Sequence, residues 1–108
     1  MTSAAVPSLF ADTRPRRLFV VECYWPGISA ARVAAADAET RRVLEARRNH
    51  RLAAQHLGSI LVPHDELLLR IFAGGSRSVI HVANVRAGIP VERTVEILAL
   101  PPAPAVNK

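Results

Sequence analysis

A chain of 108 residues has room for one domain around one core, and with half of its residues apolar it is too hydrophobic to be disordered. Thirteen arginines and the single Lys108 stand against nine acidic residues, a formal charge of +5 that admits an anionic partner but equally an ordinary solvated surface. The lone Cys23 excludes an intramolecular disulfide and any zinc site built on paired cysteines, which points to a reduced, cytoplasmic protein.

Residues 1–16 mix Ser, Ala, Thr and Pro before turning basic, and read as a flexible leader. Arg14, Arg16 and Arg17 follow the small apolar residues instead of preceding them, so the segment lacks the order of a secretion signal. No apolar run reaches the length of a membrane span, and no membrane partner is expected. The domain proper occupies 17–100. Its first strand is the β-branched and aromatic run Leu18 to Tyr24, stopped by Pro26-Gly27. A helix follows, with Ser29 as N-cap and Ile28 spaced to pack on Val33. Val33, Ala36, Thr40, Val43, Leu44 and Arg47 recur at helical spacing, and the helix should fade near Asn49.

Two strands come next, His56 to Val62 and Leu67 to Phe72, joined by Pro63-His64-Asp65-Glu66 with Pro63 suited to the first central position of a type I turn. Gly74-Gly75 breaks the chain, and Ser76 or Arg77 opens a second helix that runs through Ala87. Gly88 is placed as its left-handed C′ residue, and Pro90 prevents continuation. The last strand is Thr94 to Leu100. The tail 101–108 carries three prolines in four positions and adds no regular element.

This order, β-α-β-β-α-β, is the ferredoxin-like α+β plan: a four-stranded antiparallel sheet with two helices on one face. Helices cover only one face, so the other should be polar if it met water. Both alternating sets are nevertheless apolar: Phe19, Val21 and Cys23 against Leu18, Val20 and Tyr24; Leu67, Leu69 and Ile71 against Leu68 and Phe72. A second copy of the chain is the simplest cover, and a homodimer is expected.

Three segments carry a resemblance. Phe19 to Gly27 (FVVECYWPG), Leu57 to Glu66 (LGSILVPHDE), and Arg86-Ala87-Gly88-Ile89-Pro90 leading to Val95-Glu96-Ile97 are similar to a bacterial family of unknown function with small dimeric ferredoxin-like domains. That family includes an actinobacterial nickel-binding protein and has no agreed reaction as a whole. The resemblance spans roughly residues 18–100. It implies the fold and the dimer, and it suggests nickel or another divalent metal as ligand. Val79, Val82 and Val85 make the second helix more apolar on its outer side than the family pattern.

Chemistry-bearing residues are few. Glu22 and Tyr24 share one side of the first strand, and if Arg70 lies across from Glu22 the three form a polar floor on the helix-free face. Such a floor is either a self-satisfied pair at a subunit interface or the base of a ligand cleft. His56, at the start of the second strand, is expected on the same side as Glu22. None of His50, His56, His64 and His81 pairs at helical metal-site spacing. Imidazole and carboxylate do suit Ni(II), so His56, Glu22 and His81 are the candidate ligands for the metal that the resemblance implies. His64 sits in a turn and reads as solvated. Cys23 should face the helices as a small core residue.

Arg41, Arg42, Arg47, Arg48 and Arg51 make a basic end to the first helix, matched to its dipole. The strands lack the aromatic residues that stack on bases, so nucleic acid is an unlikely partner. Gly74-Gly75-Ser76 reads as a turn. The leading function is a small homodimeric cytoplasmic binding protein for a small ligand or divalent metal. The alternatives are a cofactor-free enzyme (oxygenase, cyclase or isomerase) using a cleft on the helix-free face, and a protein-interaction adaptor using the apolar second helix.

Overall fold

A computed structural model describes residues 17–47 and 53–100. The chain runs β1 (Leu18–Tyr24), α1 (Ala30–Glu45), β2 (Ala54–Val62), β3 (Leu67–Gly74), α2 (Arg77–Arg86) and β4 (Arg93–Ile97). The four strands form one antiparallel sheet in the order β2-β3-β1-β4, with both helices packed on one face. The ferredoxin-like architecture expected from the sequence is therefore present. The expected leader, Arg48, His50 and Arg51 at the end of the first helix, and the proline-rich tail lie outside the described residues.

The helix ends follow local chemistry. The Ser29 hydroxyl accepts the Arg32 N–H and the Ser76 hydroxyl accepts the Val79 N–H, each satisfying a donor that the first helical turn leaves free. At the end of α2, Gly88 adopts φ 73°. Its N–H reaches the Val85 carbonyl and the Ile89 N–H reaches the Asn84 carbonyl, which is the Schellman closure that a left-handed residue permits. Ile89 is buried just beyond it. α1 gives way at Ala46 and Arg47, earlier than its pattern suggested.

Other boundaries differ as well. β2 begins at Ala54 and β3 continues to Gly74, because the two strands keep pairing past the apolar runs. β4 is shorter than expected; Leu98 to Leu100 lie outside the ladder. The connection after β2 is a 3-10 turn over Pro63–Asp65, with Glu66 left-handed at φ 49°. Glu66 is held there from both ends: its carbonyl accepts the Trp25 N–H at 2.8 Å and its carboxylate accepts the Gly27 N–H at 2.6 Å.

The main core lies between sheet and helices. Phe19, Val21, Cys23, Leu68 and Phe72 from the strands meet Ala36, Val43 and Leu44 of α1 and Ile80 and Ala83 of α2. Burial of each large side chain contributes roughly 1.5–3 kcal/mol. A second, smaller apolar cluster lies on the opposite side of the sheet, where Leu57, Ile71 and Ala73 pack with Leu18 and Val20. Among the described residues no helix is long and apolar enough to cross a membrane.

Candidate functional site

Arg70 decides where the polar chemistry sits. The β1–β3 register pairs Arg70 with Val21 and Glu22 with Leu69. Paired residues share a face, so Arg70 points with Val21 towards the helices while Glu22 points away from them. The expected Glu22–Arg70 floor on the helix-free face does not form. Glu22 takes Arg93 of β4 as its ion partner, and these two are also paired residues in the ladder. Tyr24 remains on the helix-free face, 54% exposed.

Arg70 is fully buried and gathers partners from both helices. Its Nη2 donates to the Asp37 carboxylate at 3.1 Å and to the Thr40 hydroxyl at 2.6 Å, and its Nη1 donates to the Asn84 side-chain carbonyl. Thr40 and Asn84 are oriented by their own helices. The Thr40 hydroxyl donates to the Ala36 carbonyl at 2.9 Å and the Asn84 amide to the Ile80 carbonyl at 2.8 Å, one turn back in each case. Both acceptor oxygens are thereby turned towards the guanidinium. Burial pulls Arg70 below its ordinary pKa and Asp37 opposes that shift; a guanidinium stays charged regardless.

His56 joins this cluster, contrary to its expected place beside Glu22. It pairs with Phe72, whereas Gly58 pairs with Ile71, so a bulge absorbs one residue between them. Regular alternation would put positions 56 and 59 on opposite faces. The bulge puts both on the helix side, and His56 Nε2 lies 3.3 Å from the Ser59 hydroxyl. Ser59 in turn donates to Asp37 at 3.1 Å. Burial, and next the neighbouring Arg70 charge, hold the His56 imidazole down to about 4, so it is neutral at pH 7. With the Ser59 proton given to the carboxylate, the consistent tautomer has Nε2–H donating to Ser59. Among the described residues, His56 Nδ1 and Arg70 Nε are buried without a side-chain hydrogen-bond partner.

This arrangement neutralises and orients charge. Asp37 accepts from both Arg70 and Ser59, and Asp37 and Ser59 are half-buried at the outer edge of the cluster. Thr40 and Asn84 were not among the sequence candidates. The legible hint was a threonine on the apolar stripe of the first helix.

The proposed metal ligands do not converge within one chain. His56 lies on the helix side of the sheet, Glu22 on the other, and His81 on the exposed side of α2. Among the described residues no three His, Cys, Asp or Glu side chains cluster closely enough to hold a metal ion. Cys23 is buried on the helix side, and burial pushes its thiol up to about 11, which makes it a poor nucleophile.

Comparison with known proteins adds the fold alone. No family model matches the chain, and no curated protein matches it. Among solved structures the chain is similar to the crystal structure of SCO4226 from Streptomyces coelicolor A3(2), with a TM-score of 0.66 at 15% identity, over 77% of this chain and 99% of that one.

Proposed function

We propose that this protein is a small cytoplasmic binding protein that works as a homodimer, its two copies pairing through the helix-free sheet faces. The observation that carries the reading is the composition of that face. Around Leu57, Ile71 and Ala73 stand Leu18, Val20, Leu69 and Val62, while Ile60 and Tyr24 are 51% and 54% exposed. A partner surface of the same kind would remove these side chains from water. Sedimentation velocity at micromolar concentration tests it: a dimer is expected, and Ile60→Glu should shift it towards monomer. A monomer throughout the micromolar range overturns the pairing.

Nickel, or another divalent metal, is the ligand that the family resemblance suggests. His56, Glu22 and His81 lie apart within one chain, so an ion using any of them needs donors from a second copy. Calorimetry with nickel on tag-free protein is the measurement, with His56→Ala and Glu22→Gln as comparisons. Equal binding by parent and variants removes both residues as ligands. A second reading, a protein-interaction adaptor, draws on α2, where Val82 and Val85 are 38% and 54% exposed. The cofactor-free enzyme lacks the Glu22–Arg70 pair on which its acid–base chemistry would rest.

A further inference from the structure

A groove of about 700 Å³ runs between the start of α2 and the β4 edge of the sheet. That volume is within the usual size of a small-molecule site, about 300–1,000 Å³. Three arginines line it, Arg17, Arg77 and Arg93, with His81 and Thr94 between them and Glu92 as the one acidic member. The site is separate from the buried cluster around Arg70.

The three guanidiniums are not equivalent. Arg17 is clamped by Glu96, with Nε at 3.2 Å and Nη2 at 2.9 Å from the carboxylate oxygens, and Arg93 is held by Glu22. Glu96 compensates the Arg17 charge, but it leaves N–H donors on that guanidinium uncommitted and fixes where it stands; Arg93 is turned to Glu22 on the helix-free side. Arg77 has no hydrogen-bonded or ion-paired partner among the described residues, although its charge is felt by Glu96. Thr94, also in the lining, has a buried hydroxyl oxygen with no hydrogen-bond partner among the described residues. The lining thus offers more donors than acceptors around Arg77.

We infer that this groove binds a small molecule carrying an oxyanion group, a carboxylate or a phosphate, with Arg77 as its principal charge partner and Arg17 as a pre-positioned donor. The forked geometry of a guanidinium suits both groups. Because Glu92 and Glu96 offset Arg17 and Arg77, affinity comes from directed hydrogen bonds at Arg77 more than from a diffuse positive field.

The test is a titration of the full chain followed by amide NMR at constant ionic strength, using inorganic phosphate and citrate as probes and chloride as control. Saturable shifts confined to residues lining the groove, absent with chloride and weakened about tenfold by Arg77→Ala, are expected. Arg47→Ala, an exposed change in the turn after α1, should leave the titration unaltered. Saturation by citrate alone assigns the groove to carboxylates, and saturation by phosphate alone assigns it to phosphates. Shifts that fail to saturate, that chloride reproduces, or that survive Arg77→Ala unchanged overturn the proposal. Arg77 is exposed, so the variant's own spectrum shows whether its fold is intact.

Discussion

Arg70 donates to the Asp37 carboxylate across 3.1 Å from a side chain with no exposed surface, which ties the third strand to the first helix through a charge pair inside the core. Removing the cation takes a donor from three acceptors at once, Asp37, Thr40 and Asn84, of which Asp37 keeps only Ser59 among them. Arg70→Met should therefore cost about 3–5 kcal/mol in urea unfolding. Arg70→Lys should recover little, since one ammonium cannot reproduce a fork reaching both helices. Combining Arg70→Met with Asp37→Asn should restore part of the loss. A cost below about 1 kcal/mol for Arg70→Met would show that the pair is not held as described.

His56 gives the fold a pH dependence of definite sign. Its pKa falls from 6.5 to about 4 on folding, chiefly through burial. Between those values the unfolded chain holds a proton that the folded chain does not, so stability rises with pH across the window. Lowering the pH from 6.5 towards 4 should remove on the order of 3 kcal/mol through this group, with no further loss from it below. Unfolding of the parent and of His56→Gln at steps between pH 7 and 4.5 separates this from carboxylate titration. Parallel pH profiles for the two proteins would contradict the assignment.

The Glu22–Arg93 pair should behave differently from the buried one. The Arg93 side chain is 65% exposed in the single chain, where such a pair contributes only about 0–1 kcal/mol. If the helix-free faces meet, the pair loses its water and the cost of Glu22→Gln should grow with protein concentration. Chemical unfolding at nanomolar and at high micromolar concentration reads this directly. A small cost that does not change with concentration argues against that face as the interface.

Two glycines make a controlled comparison of backbone strain. Gly88→Ala forces a side chain into φ 73° with no atom within 4 Å of the new Cβ, so only the left-handed penalty of about 1–2 kcal/mol applies. Gly74→Ala meets a similar φ of 75° and also brings the Cβ to 3.2 Å from the Ala53 carbonyl oxygen. Gly74→Ala should lower the thermal midpoint more than Gly88→Ala. The reverse order would mean that the end of β3 relaxes around the added methyl.

Element order and type were written in the sequence, because they rest on local chemistry. Ser29 and Gly88 mark a helix start and a helix end through groups within a few residues, and the β-branched run from Leu18 to Tyr24 needs no distant partner to read as a strand. The two-sided apolarity of the sheet was equally legible as a composition. Which polar residues meet was not. Alternation along a strand orders its residues into two sets, but only the pairing register says that Arg70 sits opposite Val21 and not Glu22. The bulge before Gly58 then moves Ser59 to the side of His56. A lone arginine in an apolar strand reads as a surface or interface residue; it can be buried only where acceptors from elsewhere surround it. Asp37, Thr40 and Asn84 supply them from two helices, and the tertiary structure alone brings those helices over the same point of the sheet.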